Sequence, residues 1–258
     1  MILGVALDIF ERAGYAFLSR WTHIFVGITW IGLLYFFNFV QVPAYAEMEA
    51  GARNNAIDKL TSRALWWFRW AAAATLVTGV LILLFQTDRF GDTQLVSSEY
   101  IKTPQGISIF AAVLLAVTMF LNVWLVIWPL QKKVIANARN VQAGGEADPD
   151  VPAAARKALL ASRMNTIYSL PMLLFMVGTS HFPYDINQAA PATSSSRVVF
   201  WIIWIAVWAV FELNALGLLG GFSPGGPRII YDTHRNTIIT GFLYSLGALI
   251  LFALVLMD

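Results

Sequence analysis

Residues 107–130 read ISIFAAVLLAVTMFLNVWLVIWPL and contain no charged side chain. A helix needs roughly 20 apolar residues to cross the hydrocarbon core of a membrane, and this stretch is long enough. Its apolar side chains are continuous rather than alternating, which favours a helix over a strand of a membrane barrel. Five other stretches are similarly apolar. Together the six stretches are residues 21–42, 64–85, 107–130, 165–181, 198–220 and 237–257. The sequence therefore predicts an all-α integral membrane protein, a bundle of about six transmembrane helices.

The overall composition indicates the same class. Of 258 residues, 58% are hydrophobic and 12% are charged, and the mean hydropathy is +0.66, which is far from a soluble globular chain. We expect one transmembrane domain over residues 1–258, with an interfacial segment at 1–20 and a cytoplasmic loop at 131–163. The apolar residues 1–7 have no basic region before them, so they do not form a cleavable signal peptide. Lipid-facing side chains expected in the first segment are Ile9, Phe10, Tyr15 and Phe17.

The distribution of basic residues predicts the orientation of the bundle. Of the 17 Lys and Arg, five fall on one side of the predicted helices and the remaining twelve on the other. The positive-inside rule makes the twelve-charge side cytoplasmic, with both termini outside. His23 and His181 then share the external edge, and His234 lies on the cytoplasmic side. The five external basic residues are Arg12, Arg20, Arg89, Lys102 and Arg197.

The chain contains no cysteine. This excludes disulfides, thiolate metal sites, iron–sulfur clusters and a C-x-x-C-H motif for covalent haem attachment. No phosphate-binding loop, dinucleotide fingerprint or basic–aromatic patch is present, so we expect no nucleic-acid partner. No inverted repeat is visible, which disfavours a transporter.

His23 shares one stripe of the first predicted helix with Gly27 and Trp30. Gly27 removes side-chain volume one turn from the imidazole, where a flat ligand would lie, and Trp30 offers an aromatic wall. Bundle helices present an axial haem ligand in this way. In the alternative interpretation, His23 bonds a loop and Gly27 only permits close helix packing.

His181 closes the fourth predicted helix and has Gly178 three residues before it on the same face. Pro171 can kink this helix and direct its outer half toward a cofactor. Two histidines at one depth, each beside a glycine, indicate a haem site whose iron is held by His23 and His181, or by one of them with another ligand. A non-haem metal is disfavoured, because no intramembrane carboxylate lies nearby.

Trp201, Trp204, Trp208 and Glu212 are spaced to share one face of the fifth predicted helix. An acid inside a membrane helix is costly and is a functional hypothesis by default. Arg69 is its candidate partner in an ion pair, and a proton path or quinone site is the alternative. The tryptophans themselves are more typical of a packing stripe than of a cofactor site.

The longer motifs of the sequence are RWTHIFVGITWIG at 20–32, WFRW at 67–70, WPLQKK at 128–133, RMNTIYSLPM at 163–172, and Met176 with HFP at 181–183. They resemble the membrane domain of bacterial membrane-bound urate oxidases, also called urate hydroxylases, which implies a bacterial inner membrane. The similarity extends over residues 20–183 and fades in the last two helices. The spacing from His23 to Trp30 also resembles helix one of the copper-resistance D family and of haem-dependent membrane protoporphyrinogen oxidases.

These resemblances imply a redox membrane protein. In the protoporphyrinogen oxidases the equivalent of His23 carries haem b, and urate oxidases of this type end in a c-type cytochrome domain. Because this sequence has no cysteine, an oxidoreductase of this kind would need a separate electron acceptor, such as a periplasmic cytochrome. The alternative is a non-catalytic accessory or scaffold subunit of a larger respiratory or photosynthetic complex. The 10 Trp and 18 Phe would suit packing against other subunits or lipid.

Overall fold

Long helices account for most of the computed structural model, which describes residues 10–183, 186 and 188–257. Short helical turns at Tyr100–Lys102, Gly226–Arg228 and Ile229–Asp232 lie in the connections. No strand element occurs in these described ranges, so the predicted all-α class is confirmed. The long helices are α1 (Arg12–Glu47), α2 (Ala50–Phe85), α3 (Pro104–Gln142), α4 (Val151–His181), α5 (Ser194–Ala215) and α6 (His234–Leu256).

Five helices, α1, α2, α3, α5 and α6, are long and apolar enough to span a membrane, as in a multi-pass membrane protein. The exception is α4, which contains the predicted run 165–181. Asn165, Thr166 and Ser169 of α4 are fully buried, and the helix packs against α1, α3, α5 and α6. Its polarity is therefore tolerated because other helices, not lipid, surround it.

The helix ends differ from the predicted boundaries. The predicted loop 131–163 is much shorter, because α3 continues to Gln142 and α4 begins at Val151. At 1.5 Å per residue the 39 residues of α3 extend about 58 Å, well beyond a hydrocarbon core of about 30 Å. The polar end of α3 therefore continues as helix outside the membrane.

The predicted interfacial segment is helical from Arg12 onward. Phe10, Tyr15 and Phe17 are all exposed there, as expected of side chains that face lipid. Ile9 lies outside the described residues.

Each of α1, α2 and α3 contains a π-helical segment with a buried polar side chain. Such segments often occur at functional sites. The three side chains, Asn38, Asp58 and Asn122, all bond to another helix, so the π segments place polar groups at contacts between helices. Asn38 donates to Ser162 at 2.8 Å, Arg139 donates to Asp58 at 2.5 Å, and Asn122 donates to Asn165 at 3.0 Å.

Candidate functional site

His23 lies half-buried between α1 and α2. Its Nδ1 is 2.9 Å from the carbonyl oxygen of Thr75 and 3.2 Å from Thr78 Oγ1. Because a carbonyl only accepts, Nδ1 donates to it, and Nε2 is the nitrogen left for a metal ion. A Cβ on Gly79 would lie 3.2 Å from the imidazole, so this glycine of α2 gives the ring its room.

Gly27 and Trp30 are both packed against protein. A Cβ on Gly27 would meet the methyl group of Thr75 at 4.0 Å, so α2 occupies the space beside this glycine. Trp30 is 1% exposed and belongs to the apolar core. These contacts favour the interpretation in which Gly27 permits close packing of α1 on α2.

His181 is the last residue of α4, and it is exposed. Its Nδ1 is 3.1 Å from the carbonyl oxygen of Val177 in the same helix. The space beside Gly178 is filled by the ring of Phe182, which would lie 2.5 Å from an added Cβ. Pro171 is buried inside α4, and the helix continues through it.

The hydrogen bonds of the two histidines favour haem binding, whereas the space beside their neighbouring glycines does not. Both histidines fix Nδ1 on a main-chain carbonyl and leave Nε2 for iron, the usual arrangement of a metal-binding imidazole. However, Thr75 and Phe182 fill the glycine faces where a porphyrin was expected. In the described ranges, no group of three or more His, Cys, Asp or Glu is placed to hold a metal. The histidines thus fit iron as individual ligands, but protein atoms lie on the glycine faces beside both of them.

A second polar cluster, the polar centre, joins α3, α4 and α5 inside the bundle. Asn122 donates to Asn165 at 3.0 Å and to Glu212 at 3.4 Å, and Asn165 donates to the carbonyl oxygen of Met119 at 3.0 Å. Each residue has a hydrogen-bond partner on a neighbouring helix, so the centre connects three helices. Its members are Thr118, Asn122, Asn165, Tyr168, Trp208 and Glu212.

Arg69 and Glu212 have other partners than the predicted ion pair. The guanidinium of Arg69 lies over the ring of Trp128, 3.8 Å from its centroid, while Glu212 faces Asn122. The ion pairs in which both partners are described residues are Lys59–Asp58, Lys102–Glu99, Arg139–Asp58 and Arg156–Asp232. Trp128 offers Arg69 an aromatic face, so the charge is stabilised without the acid.

The face shared by tryptophans and Glu212 is found on α5. Trp204 is 1% exposed and packs on Phe200 and Phe175, with ring centroids 6.0 and 5.6 Å away. Trp208 Nε1 donates to Thr118 at 3.0 Å. Trp201 is only half-buried and lines a groove on the outer side of the helix. Two of the three indoles are therefore packing residues beside the acid.

Comparison with known proteins concerns the middle of the chain. Residues 99–214 match a protein-family model described as urate oxidase N-terminal. The match supports a urate oxidase-like family. It contains the whole polar centre and His181, excludes His23, and continues into α5, beyond the resemblance at 20–183. No curated protein and no solved structure matches the chain.

Sequence reasoning missed three residues that build these sites. Gly79 of α2 was not connected with His23, because the contact lies between residues distant in the chain. Asn165 and Tyr168 were not selected, although both are 0% exposed and central to the bundle. Their spacing of three residues on a helix was the available signal, since it places two polar groups on one face.

Proposed function

We propose that this chain is a haem-binding, urate oxidase-like protein of the bacterial inner membrane that takes part in electron transfer near the periplasmic face. The observation that carries the proposal is the pair of imidazoles whose Nδ1 atoms lie 2.9 and 3.1 Å from main-chain carbonyl oxygens. His23 and His181 would hold haem b, which supplies a one-electron redox centre. The family match to residues 99–214 supports the redox assignment.

The residues around His23 orient the ligand. The carbonyl of Thr75 fixes the tautomer and the ring plane, and Thr78 Oγ1 adds a second contact. Such partners raise the basicity of an imidazole and stabilise its binding to metal. A haem beside His181 requires the Phe182 ring to leave Gly178, so His23 is the better-prepared ligand.

In the same proposal, Glu212 takes part in proton transfer. Glu212 is 7% exposed, and its carboxyl group lies in the polar centre and contacts Asn122. A buried acid of this kind can take up or release the proton that accompanies oxidation of an organic substrate. A separate periplasmic cytochrome would receive the electrons.

A reduced-minus-oxidised visible spectrum of the purified, haem-supplemented protein tests the proposal. We expect a b-type α-band that disappears in His23→Ala and His181→Ala. His234→Ala is the matched control, because His234 is an exposed histidine at the start of α6 and should leave the band unchanged. A fully loaded preparation without a chromophore would contradict haem binding.

The groove on the outer side of α5 favours a second candidate function, an accessory subunit. It has a volume of about 530 Å³, and Val198, Trp201 and Ile202 line it, with Arg197 also at the lining. Such an apolar groove can take a helix of another membrane subunit. Copurification from native membranes would then give a stoichiometric partner, whereas a chain that purifies alone with full redox activity would argue against this role.

A further inference from the structure

The connection from α5 to α6 contains a glycine-rich loop, residues 216–228, that covers a buried arginine. Arg228 is 1% exposed, and its Nη1 donates to the carbonyl oxygen of Leu219 at 2.7 Å. Its Nε and Nη2 are buried without a hydrogen-bond partner. These two nitrogens form one edge of the guanidinium, the fork that binds two oxygens of a carboxylate or phosphate group.

The loop is shaped to approach this guanidinium. Gly220 has φ +109°, and a Cβ there would lie 3.3 Å from Arg228 Nη1. Glycine is needed at such a position, both for the backbone conformation and for the close contact. The glycines with positive φ in this loop are Gly217, Gly220, Gly221, Gly225 and Gly226.

The carboxylates of Asp232 and Glu212 bond to groups other than Arg228. Asp232 accepts from Arg156 Nη2 at 2.7 Å and from the backbone nitrogen of Gly225 at 2.8 Å. Glu212 faces Asn122 in the polar centre. None of the ion pairs that the described residues form includes Arg228. A buried guanidinium without an acid is costly, so an external anion would stabilise it.

Neighbouring groups give the site more donors and an apolar border. Arg163 donates to the carbonyl oxygen of Tyr231, and its Nε is also buried without a partner. Leu218 and Ile229, beside the loop, are 69% and 58% exposed. Basic groups next to exposed apolar side chains are typical of a surface that contacts both the headgroup and the acyl chain of a lipid.

We propose that Arg228 and the glycine-rich loop form a binding site for a phosphate group, and that the phosphodiester of an anionic phospholipid is its source. Because the loop covers the fork completely, a phosphate binds only when the loop, with its five glycines of positive φ, moves off the guanidinium. The fork of Arg228 then binds two phosphate oxygens. Leu218 and Ile229 lie against the acyl chain. Free inorganic phosphate has the same oxygens but would gain nothing from the apolar border.

The unfolding midpoint of the purified protein in a neutral detergent tests this site. Short-chain phosphatidylglycerol should raise the midpoint at concentrations where phosphatidylcholine and sodium phosphate do not. A rise with sodium phosphate alone would keep the phosphate site and reject the lipid as its source. The absence of a rise with either phosphatidylglycerol or phosphate would overturn the proposal.

Arg228→Gln should weaken the response to phosphatidylglycerol by about tenfold or more in concentration, because a charge-assisted fork is lost. Arg235→Gln is the control, since Arg235 is an exposed arginine near the same end. An equal response in Arg228→Gln and wild type would overturn the assignment.

Two glycine variants keep the test decisive if Arg228→Gln does not fold. Gly220→Ala and Gly221→Ala carry similar backbone strain, with φ +109° and +80°, but only the former places a Cβ against Arg228. We expect weaker binding of phosphatidylglycerol in Gly220→Ala than in Gly221→Ala. Equal binding would contradict the role of the guanidinium.

Discussion

The polar centre and the glycine-rich loop both bury polar side chains, but only the polar centre gives all of its members hydrogen-bond partners. In the centre, Asn122, Asn165 and Glu212 find partners on neighbouring helices. In the loop, Arg228 keeps two guanidinium nitrogens without a partner, although it is 1% exposed.

The difference separates two uses of buried polarity in a membrane protein. A hydrogen-bonded network holds helices together where no water can replace its partners. Unpaired donors at the end of a bundle do not stabilise the isolated chain. They contribute to the stability of the folded protein only when a bound ligand accepts their hydrogen bonds. Mutations in the polar centre should lower the stability of the protein even without a ligand. The glycine-rich loop should change the stability only when a ligand binds.

The largest expected effect comes from breaking the polar centre. Asn165→Leu removes the bonds to Asn122 and to the carbonyl of Met119, and it leaves both groups buried. We expect a loss of about 1–3 kcal/mol in the free energy of unfolding. Unfolding of the detergent-solubilised protein by increasing denaturant measures it.

Asn55→Ala is the control for this variant, because Asn55 is an exposed asparagine on α2. It should change the free energy of unfolding by less than about 0.5 kcal/mol. If both variants lost the same stability, the hydrogen bonds of the polar centre would not be important for the fold.

A smaller effect is expected at the contact of α6 with α4. Gly241→Ala places a Cβ 2.5 Å from Leu170 Cδ1 and 3.4 Å from the carbonyl oxygen of Ile167. We expect a loss of about 1–2 kcal/mol from overpacking. Gly247→Ala on the same helix meets nothing within 4 Å, and it should be neutral or stabilising by up to about 1 kcal/mol. Thermal unfolding of the pair in one detergent measures the difference, and equal midpoints would show that α6 does not pack closely at Gly241.

The smallest effect belongs to Asp232 beside the glycine-rich loop. Burial raises the pKa of its carboxyl group, but the bonds from Gly225 and Arg156 and the nearby positive charges outweigh burial and bring the pKa below its ordinary value of 3.8. A lowered folded pKa stabilises the protein above the unfolded pKa, and this contribution is lost as the pH falls through the folded value. Asp232→Asn should therefore cost less than about 1 kcal/mol at pH 7, and the deficit should begin to shrink near pH 4 and disappear once the pH is below the folded pKa.

Unfolding midpoints of wild type and Asp232→Asn between pH 7 and pH 3 provide the measurement. In an Arg156→Gln background the same change should have a smaller effect, because only the bond from the Gly225 backbone nitrogen remains. A deficit that keeps its full pH 7 size down to pH 3 would mean that Asp232 acts through its shape rather than its charge.

Part of the fold and site could be predicted from sequence because it depends on local pattern. The run 107–130 predicted α3, and the spacing of Trp204, Trp208 and Glu212 predicted their common face. The partner of Glu212 could not be predicted in this way. Arg69 was the available cation by charge, but Asn122 was brought to the acid by the packing of α3 against α5.

The histidines follow the same division. Their rarity and positions at helix ends were visible in the sequence, and so were Gly27 and Gly178. Which glycine actually makes room for an imidazole depended on a neighbouring helix, and that residue is Gly79. The sequence cannot show that Phe182 folds back over Gly178, because this contact is formed by the turn after α4.

The sequence by itself determined that this is an all-α membrane protein, since continuous apolar runs leave the backbone no other way to satisfy its hydrogen bonds in lipid. The sequence also showed which polar residue types are rare in the chain. Only the tertiary structure decided that α4 lies inside the bundle and which buried polar groups find partners. Those outcomes depend on contacts between residues far apart in the chain, and hydropathy alone contains no information about them.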